Sequence, residues 1–293
     1  MLFHIYVTYY GSIDYLKQGV ESVIAQSDED WNLTILDDCF PGNAAEIYIR
    51  SLNDTRIRYL RNARNLGVSQ SFNLCVSLCD AEYLMIMGHD DSLAQNFVAR
   101  AKALIRAHPG VDLFQSGVMV MDEHGADSSS LADFVKRKIS ETLPSSVALS
   151  GLPVLRSLMV GNWTYFPSIV WRKSTLSQYE FRSDLPICQD LYMLCTILAN
   201  GGSLLKDDVY SFRYRRHSVS LSSKAARSGD IFHQERIMYR DLASMFSEHG
   251  VPGAVRWAKA HPTSRLSALV ISIRALLEGN FRALSKALRY AIS

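Results

Sequence analysis

The sequence has no apolar run approaching the roughly 20 residues that a helix needs to cross a bilayer, so no membrane-spanning segment is expected. Paired cysteines are also missing: there are five cysteines, an odd number, and none stands in a Cys-x-x-Cys pair. Reduced thiols are therefore expected in place of a disulfide framework. The first residues, MLFHIYVTYYG, have neither the basic start nor the small-residue cleavage site of a signal peptide. These absences predict a cytoplasmic protein.

A large charge excess is absent as well, because the 293 residues carry a net charge of only +2. Dedicated nucleic-acid binders usually show a strong basic excess, so no nucleic-acid partner is expected. The balance hides an asymmetry, since residues 203–293 have 15 basic and 7 acidic side chains whereas residues 1–202 are net acidic. Two interpretations of the basic tail remain open: a solvated helical surface and a contact with an anionic partner.

The composition, with 48% hydrophobic and 20% charged residues, is that of an ordinary globular protein. Segments of strand-like and helical spacing alternate through the first half, which predicts an α/β fold with a mostly parallel sheet covered by helices. Strands are expected within 4–10, 31–38, 56–62, 81–91 and 111–125, and helices within 13–27, 43–54, 65–79 and 96–110.

The second half is less regular. Residues 126–162 contain a serine run, a run of three basic residues at 136–138 and two prolines, which favours a connection or flap without regular structure. A strand and turn are expected at 166–176, a helix closed by glycines at 185–202, and a strand followed by a polar loop at 203–223. From about residue 229 the spacing is helical to the end.

Acidic residues follow two of the predicted strands. Asp37 and Asp38 end one apolar strand, and His89, Asp90 and Asp91 end another. Because the carboxyl ends of parallel strands meet at one edge of a sheet, both acidic groups are expected at the same rim, where open α/β sheets bind ligands. Carboxylates there can bind a hard divalent cation or accept hydrogen bonds from a base or ribose. The alternative is that they cap the following helices.

Four ordered motifs carry a resemblance to a known family. They read VTYYGSIDYLKQGVESVIAQSDEDWNLTILDDCFPG, RNLGVSQSFNLCVSLCDAEYLMIMGHDD, CQDLY and FRYRRHSVSLS, and the match is nearly continuous over residues 3–100. The sequence resembles the family 2 glycosyltransferases, which have the Rossmann-like GT-A fold. Three departures stand out: Tyr10 replaces the usual Asn, Cys39-Phe40 replaces Gly-Ser, and Gly88 stands where the first acid of the DxD motif sits.

The resemblance implies a domain organisation. It predicts a GT-A domain over 1–225, with a nucleotide-sugar half at about 1–122 and an acceptor half at about 123–225. The resemblance does not cover 226–293, which is expected to be a helical C-terminal extension.

The resemblance also implies an activity: inverting transfer of a sugar from a nucleoside-diphosphate sugar to a hydroxyl of a glycan or lipid-linked glycan acceptor, in bacterial surface polysaccharide synthesis. An alternative is a catalytically silent nucleotide-sugar-binding or scaffold protein of the same fold, which Gly88 and Tyr10 favour. A nucleotidyltransferase fits less well, because TYYGSIDY is not a glycine-rich loop bearing Lys or Arg.

Several residues of the nucleotide site follow from the resemblance. Thr8 and Tyr9 are expected to line the nucleotide pocket and Asp37 to bond the base, although a core role for Tyr9 stays open. His89 is expected near the ribose. Arg215, together with its neighbours in RYRRH, is expected to neutralise phosphate charge by forked hydrogen bonds.

The resemblance also assigns the metal and the base. Asp90 and His217 are expected to hold a divalent Mn²⁺ or Mg²⁺ at the diphosphate, and the loss of an acid at Gly88 puts strict metal dependence in question. Asp190 is expected to be the general base that deprotonates the acceptor hydroxyl, or else to begin a helix. Trp163 is expected either on a sugar face or in the core.

The C-terminal residues have an amphipathic, basic pattern. Two alternatives are open for the apolar arc: it lies on an anionic membrane, at the inner face of the plasma membrane, or it packs on the catalytic domain or a second subunit in a homodimer. The arc consists of Leu266, Leu269, Val270, Ile273, Leu276, Leu277, Phe281, Leu284 and Leu288.

Overall fold

A computed structural model of the chain describes residues 3–217, 225 and 227–292. In this part of the chain, nine strands form one sheet in the order β3-β2-β1-β4-β8-β6-β9-β5, with β7 also paired to β9. The strands are β1 (Phe3–Tyr9), β2 (Trp31–Asp37), β3 (Ile57–Arg61), β4 (Tyr83–Gly88), β5 (Ser92–Leu93), β6 (Leu113–Met121), β7 (Ala148–Leu149), β8 (Ile169–Arg172) and β9 (Leu204–Arg215).

The sheet runs mostly in one direction. Strands β1 to β4 pair in parallel, and β9 is parallel to β6. Strand β8 lies antiparallel between β4 and β6, so it restores the common direction across the middle of the sheet. The short β5 and β7 are antiparallel to β9. The predicted α/β sheet is confirmed, with three strands reversed.

The helices of the first half begin and end close to the predicted places, because apolar residues recur on the face that packs on the sheet. They are α1 (Ile13–Ile24), α2 (Ala44–Ser51), α3 (Val68–Leu78) and α4 (Phe97–Ala107). The core forms on both sides of the sheet: α1, α2 and α4 cover one face, and α3 covers the other together with later helices. Strands β1 and β4 are buried almost throughout, as expected of strands covered on both faces.

Residues 126–162 correct the sequence prediction, since they are not an irregular flap. They contain α5 (Leu131–Ser140) and α6 (Gly151–Val160), joined through β7. Helix α5 begins with a capping box, in which the Ser130 and Asp133 side chains each accept the other's backbone N–H. Helix α6 has an apolar inner face that packs in the core. A 3₁₀ turn (Phe166–Ser168), α7 (Lys173–Leu176) and α8 (Gln189–Ala199) follow.

The C-terminal part is helical, as predicted, with α9 (Ile231–Glu248), α10 (Pro252–Ala260), α11 (Pro262–Leu277) and α12 (Phe281–Ala291). Helices α9 and α10 pack against α8 and α6 in the main core. Helices α11 and α12 form a hairpin that meets the rest of the protein through small residues. No helix within the described residues is both long and apolar enough to span a membrane.

The orientation of that hairpin contradicts the expectation that the apolar arc packs on the catalytic domain, and leaves packing on a second subunit untested. Its large side chains do not pack on the catalytic domain: Leu266, Leu269, Val270, Ile273, Leu276, Leu277, Phe281 and Leu288 are exposed, and Leu284 is partly so. The inner face is built instead from Ser264, Ala268, Ser272, Ala275, Ala283, Ala287 and Tyr290.

Candidate active site

The ends of β1, β2 and β4 form one rim of the sheet. The strand register places Tyr9 beside Asp37 and Thr8 beside Gly88, so the two acidic groups predicted from the sequence flank the end of β1. Residues 88–91, which we call the acid turn, leave β4 here, and the Asp91 N–H donates to the Gly88 carbonyl over 3.4 Å. The prediction that both acidic groups share one edge is confirmed.

Gly88 provides space that the acid turn needs. A methyl group at this position would lie 2.6 Å from Asp90 Oδ1 and 3.1 Å from Asp91 Oδ2. The two carboxyl groups therefore fold back over Gly88, where relatives of the DxD type carry their first acid. The presence of glycine in place of an acid at position 88 is thus consistent with the packing of the Asp90 and Asp91 side chains.

Asp90 and His217 meet across the rim. The Asp90 Oδ2 and His217 Nε2 atoms lie 2.7 Å apart, although the residues are 127 positions apart in the chain. Burial opposes ionisation of Asp90, but the hydrogen bond and the charges of His217 and His89 outweigh it and hold the pKa of Asp90 below its usual value. The same hydrogen bond raises the pKa of His217. The structure brings together the two residues predicted to hold a metal.

Asp91 differs from Asp90 in the direction of its pKa shift. Burial and the neighbouring Asp90 raise the pKa of Asp91 well above its usual value, against the backbone N–H of Arg215, which donates to Asp91 Oδ1 over 2.9 Å. The acid turn therefore holds two carboxyl groups whose pKa values are shifted in opposite directions.

Arg215 holds the acid turn in place. Its guanidinium stacks over the Tyr15 ring at 4.5 Å, and the residue is almost fully buried. Its guanidinium donates to the backbone carbonyls of Asp90 (2.8 Å), Glu123 (3.1 Å) and Asp122 (3.3 Å) and to Gln18 Oε1 (2.7 Å). Because these bonds use most of its donors, Arg215 orients the turn from behind, and its predicted contact with phosphate stays a prediction.

His89 lies against the first strand. Its ring meets Tyr9 edge to face at 5.7 Å, and burial lowers its pKa despite the opposing charge of Asp90. Gly11 makes room for it, since a methyl group there would lie 2.2 Å from His89 Nε2. Tyr9 itself is buried and also packs on Phe40. The core interpretation of Tyr9 therefore describes its packing, whereas its role in a nucleotide pocket stays a prediction.

Tyr10 is the aromatic side chain that the rim exposes. About half of its surface is open to solvent, and its ring meets Phe40 edge to face at 5.3 Å. Sequence reasoning treated Tyr10 only as a departure from the family pattern. The alternation of side chains along a strand would have pointed to it, since Tyr9 and Tyr10 must face opposite ways.

Asp37 and Asp38 organise the two loops beside the rim. Asp37 accepts hydrogen bonds from the Tyr59 hydroxyl and, over 2.7 Å, from the Phe40 N–H, and it pairs with Arg61 at 3.4 Å. Asp38 accepts from the backbone of Leu66 and Gly67 ahead of α3. Asp37 is thus buried and already bonded, and its contact with a base stays a prediction.

Asp190 lies in the first turn of α8 at a second point near the rim. Burial raises its pKa, and the Leu191 backbone N–H, the Lys136 charge and the Asn162 amide oppose that effect. The Asn162 Nδ2 atom donates to Asp190 Oδ2 over 3.4 Å. Burial also lowers the pKa of Lys136 to about 8. A carboxylate with a raised pKa near a helix N-terminus is suited to accept a proton near neutral pH.

Tyr214 connects the two acidic points. Burial raises the pKa of its hydroxyl, and the charges of Asp91, Asp90 and Asp190 add to that effect. One hydroxyl thus lies within electrostatic reach of both the acid turn and the candidate base. The charges of Asp90 and Asp190 therefore act on the same hydroxyl.

A polar cluster beside Asp190 was missed by the sequence reasoning. Asp133 pairs with Arg216 and accepts from the Tyr165 hydroxyl over 2.9 Å, and Lys136 Nζ donates to the Thr164 carbonyl over 2.8 Å. Two of its members, Asp133 and Lys136, come from α5, which was expected to be irregular. The sequence S-x-x-D at 130–133 is the signal that could have found this helix.

Trp163 belongs to the core. It is 4% exposed, and its Nε1 donates to Ser157 Oγ over 3.0 Å. Of the two interpretations of Trp163, the structure supports the core one.

The donor set at the rim fits a hard divalent ion only if a bound diphosphate completes it. Among the described residues no group of three or more His, Cys, Asp or Glu side chains could hold a metal. Asp90 and His217 offer one carboxylate and one imidazole. Mg²⁺ in particular is commonly bound through one or two carboxylates with substrate phosphates and water supplying the rest.

Comparison with known proteins identifies the first half of the chain. Residues 4–140 match the model for glycosyl transferase family 2. An uncharacterized glycosyltransferase of Methanocaldococcus jannaschii is 30% identical over 120 residues, 40% of this chain and 41% of that protein. The succinoglycan biosynthesis protein ExoO of Rhizobium meliloti is 24% identical over 221 residues, 74% of this chain and 61% of that protein. The chain matches about two fifths of the length of the first of these relatives.

Solved structures extend the likeness of fold to the whole chain. S. aureus TarS residues 1–349 in complex with UDP-GlcNAc superimposes with a TM-score of 0.66 at 14% identity, over all of this chain and 91% of that one. A mannosyltransferase from Pyrobaculum calidifontis in complex with GDP-Man and Mn²⁺ gives a TM-score of 0.59 at 11% identity, over 99% of this chain and 85% of that one. At these identities the likeness concerns the fold.

Proposed function

We propose that the chain, whose residues 4–140 match the model for glycosyl transferase family 2, transfers a sugar, with inversion, from a nucleoside-diphosphate sugar to a hydroxyl of a glycan or lipid-linked glycan. The contact of Asp90 with His217 is the observation that carries this proposal, and a separate buried carboxylate at Asp190 supports it. Asp90 and His217 suit the diphosphate, and Asp190 suits the acceptor. The polysaccharide-biosynthesis name of ExoO supports an acceptor of this class.

The chemistry assigns a role to each side chain. The Asp190 carboxylate accepts the proton of the acceptor hydroxyl as that oxygen forms a bond to the anomeric carbon, and the bond from this carbon to the diphosphate oxygen breaks. Asn162 and Lys136 hold the Asp190 carboxylate in place. The nucleoside diphosphate leaves with the bonding electrons.

The leaving diphosphate needs its growing charge stabilised. Asp90 and His217 would hold a divalent metal, which supplies Lewis-acid stabilisation of the diphosphate oxygens when bound. Arg215 keeps the acid turn in position through its backbone carbonyls. The Mn²⁺ and GDP-Man in the Pyrobaculum calidifontis structure support a metal and a nucleotide sugar as the ligands of this rim.

A second candidate function is binding of a nucleotide sugar without transfer. The crowding of Gly88 by Asp90 and Asp91 favours it, because the acid turn has no room for a further carboxylate. Binding of a donor with no turnover would support this second function.

The test begins with identification of the donor. A thermal-shift panel of UDP-, GDP-, dTDP- and CDP-sugars, with and without Mn²⁺, reports any ligand that binds the folded state by a rise in melting temperature. Hydrolysis of that donor, and its transfer to candidate acceptors, are then measured for Asp190→Asn. We expect donor affinity to persist and turnover to fall about 10²–10⁴-fold.

Asp14→Asn is the matched control. Asp14 also lies in the first turn of a helix, α1, but it is exposed and contributes nothing to the rim. Both variants lose one carboxylate beside a helix N-terminus, so a general effect on helix stability would appear in both. Wild-type turnover in Asp190→Asn would remove Asp190 from the mechanism.

A further inference from the structure

The hairpin of α11 and α12 has an apolar surface that the rest of the described chain leaves uncovered. We call it the outer face; each of its nine side chains is between 42% and 83% exposed. Together they expose on the order of 1,000 Å² of apolar surface, more than the largest patch of a typical monomer. The outer face consists of Leu266, Leu269, Val270, Ile273, Leu276, Leu277, Phe281, Leu288 and Ile292.

The hairpin reverses the usual distribution of residue sizes. Its inner face uses alanines and serines, such as Ala268, Ser272 and Ala287, to approach the neighbouring helices closely. The only large ring on that face, Tyr290, stacks on Phe232 of α9 at 4.9 Å. Since apolar burial drives packing in water, a hairpin selected only to pack on this domain would bury its leucines and isoleucines. The outer face is therefore suited to an external surface.

The charges around the outer face indicate the sign of that surface. Residues 252–292 contain seven basic side chains and one acidic side chain, Glu278. On α11, the spacing of 3.6 residues per turn places Arg265 and Arg274 on opposite edges of the apolar stripe. On α12, Arg282 and Arg289 lie along one edge. A second copy of this chain would bring an equally basic rim against this one, whereas an anionic surface would be attracted to it.

From this geometry we propose that the outer face docks on the surface of an anionic phospholipid bilayer. Its apolar side chains enter the boundary between headgroups and acyl chains, and the flanking arginines bind lipid phosphates. The hairpin would lie in the plane of the surface, consistent with the absence of any helix among the described residues that could span it. This inference is independent of the proposed glycosyl transfer.

Co-sedimentation with vesicles tests the proposal on the full chain. Vesicles of phosphatidylglycerol with phosphatidylcholine are compared with vesicles of phosphatidylcholine alone, at low and high salt. We expect binding to the anionic vesicles that weakens with salt, because lipid charge is screened. Ile273→Ser/Leu277→Ser should lower the partition coefficient by roughly tenfold or more, since two exposed apolar side chains are lost.

The matched control is Ile47→Ser/Leu131→Ser. Ile47 and Leu131 are 61% and 76% exposed on α2 and α5, against 62% and 83% for Ile273 and Leu277, so both variants lose the same residue types at similar exposure. The control should bind vesicles as the wild type does. Arg265→Gln/Arg274→Gln should weaken binding to anionic vesicles and reduce the dependence of that binding on salt.

Several outcomes would overturn the proposal: no sedimentation with either vesicle, equal binding to neutral vesicles, or equal binding of both serine variants. A stable dimer without lipid that Ile273→Ser/Leu277→Ser dissociates, together with no vesicle binding, would assign the outer face to a second copy. Nucleotide-sugar binding is measured on the same samples. Donor binding retained without vesicle binding would refute the membrane inference alone.

Discussion

Glu235 provides a sharp test of how the C-terminal helices are held. It lies on α9, its Oε2 atom is shielded from solvent, and its carboxyl group is close to Tyr290 of α12 and Ser264 of α11. Burial raises the pKa of Glu235 to about 7, and the hydrogen bonds with Tyr290 and Ser264 lower it only in part. The hairpin is thus docked over a carboxyl group that prefers to be neutral.

The sign and size of the effect follow from the two pKa values. An unfolded glutamate titrates near 4.3, so between about pH 4.3 and 7 the folded protein retains a proton that the unfolded chain has lost. The free energy of unfolding therefore falls as pH rises through this window, and the full penalty applies above it. The difference between the two values corresponds to at most about 4 kcal/mol.

Glu235→Gln removes the ionisation and keeps the shape. We expect the variant to be more stable than the wild type by up to about 4 kcal/mol near pH 8 in urea unfolding, and by only about 1 kcal/mol near pH 5, where Glu235 is protonated in the folded protein. Glu248→Gln, an exposed change on the same helix, is the control and should shift neither value. A variant whose advantage over the wild type is the same at both pH values would refute the reasoning.

Two further predictions concern the candidate active site. Gly88→Ala should raise the Kd of the nucleotide-sugar donor, because the methyl group displaces Asp90. Measured by isothermal titration, the double variant Gly88→Ala/Asp90→Ala should bind the donor no more weakly than Asp90→Ala alone. Additive losses of donor affinity in the double variant would contradict this prediction. Lys136→Met should move the acid limb of the kcat/KM profile to higher pH, because the Lys136 charge lowers the pKa of Asp190. Arg137→Met, an exposed charge loss on the same helix, should leave the limb in place.

The fold of the first half could be predicted because its signals are local. The spacing of apolar residues predicts strand β1 and helix α1 from a few neighbouring positions, and both elements lie close to the predicted positions. Helix α5 was missed although its apolar residues have helical spacing, because the serines, prolines and basic residues in 126–162 favoured an irregular connection. Its capping box was the readable signal.

The sequence predicts which residues belong to the candidate site better than it predicts the contacts among them. Asp90 and His217, which were predicted to share a metal, are in contact, and that shared role stays a prediction. The bonds that Arg215 makes to backbone carbonyls depend on residues about 90 to 125 positions away. No short-range pattern encodes them. Cys39 is a local exception: with φ of +62° it adopts the conformation that favours the glycine of the family pattern, so the departure preserves the backbone shape.

The helical wheel of the C-terminal residues grouped the apolar side chains that share one face. It did not predict whether that face points inward or outward. Ala268 and Ala287 have no strong apolar signal, yet they form the contact with the domain, while Leu277 lies outside. Which face of an amphipathic helix is inward depends on the shape of its partner, and that information is not in the helix itself.

The hydrogen bonds from Arg215 to the acid turn have a consequence for the nascent chain. The acid turn leaves the ribosome about 125 residues before the strand whose backbone N–H and guanidinium fix its shape. At roughly 5–20 residues per second, translation of that interval takes about 6–25 s. During this time the nascent first half has its strands but not the bonds that orient its carboxylates. Competence to bind a nucleotide sugar should therefore arise late in synthesis, only after β9 has emerged.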